Sequence, residues 1–190
     1  MTIAILGGRF DPPHWGHYWV GRQVLDYQPT ICKVWFIPAA QHQWKPTVAS
    51  AHDRLAMVKL MAKATKQFTV SDCELKRGGI SYTVDTIREI KNQFHHTIYW
   101  IVGADIISEF NRWENREELT NLATFLVFPR DPYTIPSSLP AGFKLMKAPS
   151  LIVSNLSSTH IRDRIKNGKS IHGFVPDAVK TYINNKGLYQ

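Results

Sequence analysis

Apolar residues along the 190-residue chain collect in short runs, separated by stretches where they recur every three or four positions. Thr2–Leu6 (TIAIL), Cys32–Ile37 (CKVWFI), Phe68–Ser71, Thr97–Val102 (TIYWIV), Thr124–Phe128 (TFLVF) and Phe143–Met146 read as strands. Each is short, apolar and rich in β-branched or aromatic residues. Between them the period lengthens to that of a helix. One helix is expected from about His14, with Val20, Val24 and Leu25 on one side. A second starts at Ser50 as N-cap and runs to about Lys66, with Leu55, Val58 and Ala62 on one face. Ser81 is the expected cap of a third, which carries Val84, Ile87 and Ile90. Ala104–Phe110 and Asn115–Leu122 read as two short helices, and residues 129–142, with four prolines and a glycine, as a loop. Ser157 caps a helix ending at Gly168, a residue suited to the position past the last turn. A final helix starts near Pro176 and runs to about Asn185.

Apolar strands alternating with helices predict an α/β fold with a parallel sheet covered on both faces. No repeat, linker or low-complexity segment interrupts the pattern, so residues 1–190 read as a single domain. In such sheets ligands bind at the carboxyl ends of the strands, where the strand order reverses. Gly7-Gly8 lies at one such end, Gly103 and Asp105 at another.

Composition narrows the function class. A hydrophobic share of 44% and a charged share of 20% are ordinary for a globular domain. No apolar run is long enough to span a bilayer, and the N-terminus lacks the pattern of a signal peptide. Cys32 and Cys73 are the only cysteines and form no CxxC, which fits a reducing, cytoplasmic setting and argues against a disulfide framework. A formal charge of +8 favours anionic partners: nucleotides, phosphorylated metabolites or nucleic acid. The lysines are scattered rather than clustered with stacking residues, so a basic nucleic-acid-binding domain is the different-class alternative and no specific nucleic-acid partner is expected.

The richest chemistry lies in residues 5–21, ILGGRFDPPHWGHYWVG. Gly7 and Gly8 let backbone approach a ligand with no Cβ in the way. The helix that follows directs free N–H groups and its positive dipole end at the same place. His14 and His17, at i and i+3, share one side of its first turn, and Gly16 between them leaves room for a nucleotide against the helix. That is a phosphate-binding arrangement, although neither the dinucleotide fingerprint nor the P-loop motif is present. No metal site is expected, because no nearby Cys or carboxylate offers a third ligand to the histidine pair.

GGRFDPPHWGH resembles the signature of the HxGH nucleotidylyltransferases, and LSSTHIR at residues 156–162 resembles their second motif, ISSTxIR. His14, where related pantetheine-phosphate adenylyltransferases usually carry Thr, makes the chain similar to the nicotinate mononucleotide adenylyltransferases. RGGISYTVDTI (77–87), IVGADII (101–107), Trp113 and the closing FVPDAVKTYINNKGLY extend the likeness over nearly the whole chain. There are departures. Arg9 stands where the family has Thr or Ser, and HQWK (42–45) where it has PPHK or PPHR, so Lys45 is kept but Trp44 replaces a histidine.

The resemblance implies a Rossmann-like doubly wound sheet with C-terminal helices. It implies adenylyl transfer from ATP to nicotinate mononucleotide, giving deamido-NAD and pyrophosphate, a step of NAD biosynthesis. The same-class alternative is an acceptor with the nicotinamide group, or another phosphorylated acceptor. The acceptor phosphate, with a second pKa of about 6, is already mostly dianionic at pH 7 and needs no general base. What it needs is cation density that holds two polyanions in line. His14, His17 and Arg162 are the expected catalytic groups, gripping the triphosphate. Gly7, Gly8, Arg9, Phe10, Gly103, Asp105, Ser157, Ser158 and Thr159 complete the implied ATP site. Asp11, Lys45, Ser81, Tyr82, Thr83 and Trp113 form the implied mononucleotide site, with Trp113 stacked on the pyridine. Mg²⁺ is expected to enter with ATP and to keep several waters. Self-association is left open.

Overall fold

The computed structural model describes residues 1–190. Its strands are β1 (Thr2–Gly8), β2 (Lys33–Pro38), β3 (Phe68–Val70), β4 (Thr97–Gly103), β5 (Thr124–Phe128) and β6 (Phe143–Leu145). Its helices are α1 (Trp15–Tyr27), α2 (Ala51–Ala62), α3 (Cys73–Arg77), α4 (Thr83–Phe94), α5 (Asp105–Glu109), α6 (Arg116–Leu122), α7 (Ser158–Lys166) and α8 (Asp177–Lys186). A single 3₁₀ turn, Phe110–Arg112, follows α5. The strands form one sheet in the order β3-β2-β1-β4-β5-β6, with every neighbouring pair parallel. The order reverses between β1 and β4, which is where the paired glycines and Gly103 emerge. This is the Rossmann-like, doubly wound sheet that the pattern of apolar runs and the resemblance imply.

Both faces of the sheet are covered, and the side chains of β1 show how. Ala4 points into a core with Val24 of α1, Met57 and Met61 of α2, Ile161 of α7 and Val179 of α8. Ile3 and Ile5, one residue to either side, point into a second core with Val84 and Ile87 of α4 and Leu119 of α6. The two-residue period of a strand sorts its apolar side chains between two helical layers, which is why these runs are apolar throughout.

Several element boundaries differ from the sequence reading, each for a tertiary reason. β1 continues past Leu6 through both glycines, because Gly7 and Gly8 pair with Ile37 and Pro38. α2 stops at Ala62 rather than Lys66; two tight turns there bring Phe68 to the sheet edge, and Thr65 meets the Tyr18 hydroxyl at 3.1 Å. Ser81 does not cap α4: its Oγ accepts from the Ala40 N–H at 2.9 Å, and Tyr82 occupies the cap position with no side-chain bond. The five-residue α3 carries no helical period long enough to be seen. Trp113 is the extended residue that closes the 3₁₀ turn, between the two short helices. Ser50 and Ser157 do cap α2 and α7, accepting from the Asp53 N–H at 3.1 Å and the His160 N–H at 3.2 Å. Gly168, at φ +63°, follows the end of α7 as expected.

Candidate active site

A cavity of about 350 Å³ opens at the carboxyl ends of β1 and β4, within the size range of small-molecule sites. Gly7 and Gly8 form part of its floor, and the first turn of α1 brings in His14, Gly16 and His17. The N-terminus of α4 brings in Ser81, Tyr82 and Thr83, while Gly103, Asp105 and Trp113 line the side beyond β4. Gly7, Gly8, His14, His17, Ser81, Tyr82, Thr83, Gly103, Asp105 and Trp113 thus share one opening, from segments about a hundred residues apart.

The histidine pair is built by packing. The His14 N–H donates to His17 Nδ1 at 3.2 Å, and the two rings stack with centroids 3.7 Å apart. With Nδ1 accepting, a neutral His17 carries its proton on Nε2 and is a hydrogen-bond donor there. Phe10, at φ +51°, packs edge-on beneath His17 with centroids 4.9 Å apart. Burial pushes His14 down from the ordinary 6.5 to about 3, helped by the nearby Arg130 guanidinium. Burial, His14 and Arg130 likewise hold His17 well below the ordinary value. Both shifts favour neutral imidazoles over the positive charges that a cationic grip on triphosphate calls for.

The glycines answer to neighbours in the protein. A Cβ on Gly16 would lie 2.9 Å from His14 Nδ1, so this glycine makes room for the histidine ring rather than for a nucleotide. A Cβ on Gly7 would meet the Trp100 ring at 2.7 Å, whereas one on Gly8 would make only ordinary contact with Phe10.

The late motif reaches the early one. Arg162 Nη1 donates to the Asp11 carbonyl at 2.8 Å, and Ser158 Oγ donates to the Pro12 carbonyl at 2.8 Å. Arg162 Nη2 also donates to Thr159 Oγ1 at 3.3 Å. The N-terminal end of α7 is thereby fastened to the loop that enters α1, with Arg162 anchored three residues before His14.

Two expected ligand contacts, those of Asp11 and Phe10, are corrected. Asp11 is completely buried: Oδ2 accepts from the Val48 N–H at 2.6 Å, and Oδ1 from the Ala49 N–H at 3.0 Å and the Tyr189 hydroxyl at 2.8 Å. With both oxygens engaged by protein, it holds the loop and leaves nothing for a mononucleotide. Phe10, 1% exposed, is core that props His17. Ser157 Oγ accepts the His160 N–H as the cap of α7, and its own O–H stays available as a donor. Arg9, Lys45, Ser158, Thr159 and Arg162 lie outside the cavity lining. Arg9 donates to the Pro46 carbonyl at 3.0 Å and is depressed by burial and by the like charge of Arg162.

The sequence reading missed two contributors. Arg130, two residues past β5, lines the cavity, donates to Asp105 Oδ2 at 3.2 Å and is the cation that acts on both histidines. Its position at the carboxyl end of a parallel strand was the available signal, hidden among loop prolines. Arg54, buried on α2, donates to the carbonyls of Arg9 at 2.8 Å and Ala40 at 3.3 Å, fixing the spacing of two cavity loops.

Comparison with known proteins agrees with this geometry. The Cytidylyltransferase-like family model matches residues 5–164. A protein of Oceanobacillus iheyensis, described as "Probable nicotinate-nucleotide adenylyltransferase", is 36% identical over 189 residues, covering 98% of this chain and 96% of its own. One from a Synechococcus species with the same description is 38% identical over 198 residues, again covering 98% and 96%. The solved structure of Plasmodium falciparum nicotinic acid mononucleotide adenylyltransferase complexed with NaAD superposes with a TM-score of 0.83 at 22% identity, covering 99% of this chain and 97% of that one. The fold, the converging motifs and full-length relatives place this chain in the Cytidylyltransferase-like family, among the nicotinate-nucleotide adenylyltransferases.

Proposed function

We propose that the chain transfers the adenylyl group of ATP to nicotinate mononucleotide, forming nicotinate adenine dinucleotide and pyrophosphate. One observation carries the mechanism: the histidine turn of α1 and the Arg162 end of α7 are tied together at one side of the cavity by the carbonyls of residues 11 and 12. An acceptor phosphate oxygen attacks the α-phosphorus, a new P–O bond forms, the α–β bridging bond breaks, and its electron pair leaves with pyrophosphate. His17 donates a neutral N–H to phosphate oxygens, and His14 holds His17 in place. Arg162 and Arg130 supply the positive charge, with Ser158 and Thr159 at the late motif and Gly7 and Gly8 beneath. Losing one such preorganised donor costs on the order of 3 kcal/mol of transition-state stabilisation.

The acceptor occupies the side of α4. Its N-terminal turn has no side-chain cap and Tyr82 and Thr83 line the cavity, so the positive end of α4 favours a ring carboxylate over a neutral amide there. Trp113, held edge-on by Phe125 at 6.0 Å, provides a flat apolar surface for the pyridine. Lys45 holds the acceptor phosphate, and Asp105 and Gly103 face ribose. Asp105 Oδ1 is buried without a partner beside Gly103, and no group of three His, Cys, Asp or Glu side chains gathers anywhere. Asp105 Oδ1 would be the protein oxygen offered to an Mg²⁺ entering with ATP, and that ion would offset phosphate charge.

Pyrophosphate release with ATP and either nicotinate or nicotinamide mononucleotide tests the assignment. A markedly higher kcat/KM for the acid supports it; an equal or higher value for the amide overturns it.

A further inference from the structure

From the segment Gln41 to Thr47, where the chain departs from its family pattern, His42, Gln43 and Trp44 line the cavity. The segment's root is pinned to the start of α4: the Ala40 N–H donates to Ser81 Oγ, and the Ser81 N–H to the Gln41 carbonyl, both at 2.9 Å. Its far end is held by Arg9 through the Pro46 carbonyl at 3.0 Å. Between these anchors stands Trp44, 37% exposed, whose backbone N–H donates to His42 Nδ1 at 3.2 Å. The Arg112 guanidinium lies over the Trp44 ring, with Cζ 4.8 Å from the centroid. Arg112 immediately precedes Trp113, so one cation–π contact spans from the 41–47 wall to the Trp113 wall of the same cavity.

The geometry points to Trp44 and Arg112 as a clasp over the acceptor half of the cavity, in which Trp44 is a second aromatic surface for the acceptor's flat ring. This inference rests on the acceptor assigned above. Trp113 is wedged against Phe110 and Phe125 and cannot follow a ligand. Trp44 rides on a loop anchored at its ends through Ser81 and Arg9, and Arg112 packs over its ring. The neighbouring Lys45 is carried by the same loop, so a single segment reads both ring and phosphate of the acceptor. Trp44 and Arg112 make no part of the histidine and Arg162 constellation, so their effect falls on acceptor binding and not on the transfer step.

Steady-state kinetics with ATP and nicotinate mononucleotide test this in Trp44→Ala, Trp44→Phe, Arg112→Gln and the Trp44→Ala/Arg112→Gln double variant. An exposed cation–π contact corresponds to about a twofold to fivefold effect, and a stacked heteroaromatic ring to about tenfold. Arg112→Gln should raise the acceptor KM about threefold and Trp44→Ala about tenfold, while kcat and the ATP KM stay within twofold. Trp44→Phe should recover most of the loss, and the double variant should be no worse than Trp44→Ala. An unchanged acceptor KM, an equal rise in both KM values, or additive losses in the double variant would each overturn the clasp. If the unmodified protein forms no dinucleotide from these substrates, the acceptor assignment itself fails. If it does form one and the variants match it, only the clasp fails.

Discussion

Replacing Gly16 with alanine separates helix propensity from active-site geometry. Gly16 is the second residue of α1, where alanine is intrinsically favoured by about 1 kcal/mol. Against that gain, the new Cβ would lie 2.9 Å from Nδ1 and 3.0 Å from Cε1 of His14. The His14 ring is nine-tenths buried and stacked on His17 at 3.7 Å, so it can yield only by pressing on its neighbour. Overpacking of this kind costs about 1–3 kcal/mol, which leaves a net loss of stability between about 0 and 2 kcal/mol. The catalytic cost is larger. The displaced His14 ring pushes on the stacked His17 ring, which strains the 3.2 Å bond that His17 Nδ1 accepts from the His14 backbone N–H and turns the Nε2–H donor away from the phosphates. At about 3 kcal/mol for a lost donor, kcat/KM should fall about 100-fold. Pyrophosphate release measured beside a thermal melt gives both quantities. A folded Gly16→Ala protein with kcat/KM within threefold of the parent would refute the role given to this glycine.

Other outcomes follow from the same contacts. The unfolded chain protonates His14 near 6.5 while the folded one resists to about 3. Stability from this group is therefore intact above 6.5 and is lost as pH falls toward 3, by about 2 kcal/mol at pH 5. Urea melts at pH 8 and pH 5 should show that slope, and His14→Asn should flatten it; equal slopes contradict the burial of a neutral ring. Tyr189→Phe removes one of the hydrogen bonds to Asp11 and should cost about 1–2 kcal/mol in a denaturant melt, with a smaller effect on kcat; no loss would show that the C-terminus does not brace the loop. Arg130→Gln should lower kcat/KM for ATP about 10- to 100-fold and raise the His14 titration seen by NMR, because this cation helps depress both imidazoles. Unchanged values for both would remove Arg130 from the site.

The sheet was legible because β1, β2, β4 and β5 are apolar on both faces, and alternating helices leave few other ways to cover such strands. Ser50, Ser157 and Gly168 marked helix ends through local chemistry, which needs no knowledge of the rest of the chain. Ser81 misled because its hydroxyl is taken by Ala40, a contact 41 residues away in sequence. Asp11 misled for the same reason on a larger scale: it sits in a nucleotide motif, yet its partners are Val48, Ala49 and Tyr189. That the histidines are neutral follows from burial, which the spacing of two residues on one turn does not reveal. Arg130 carried no motif at all and became visible only once β5 was placed beside β4. The meeting of α7 with the first loop, in contrast, was readable from two motifs at opposite ends of the chain.

A crystal structure with a non-hydrolysable ATP analogue bears on the whole mechanism at once. His17 Nε2 and the Arg162 guanidinium should both lie within hydrogen-bond distance of oxygens on the same triphosphate. A nucleotide seated in the cavity while Arg162 stays a phosphate's length or more away would contradict it.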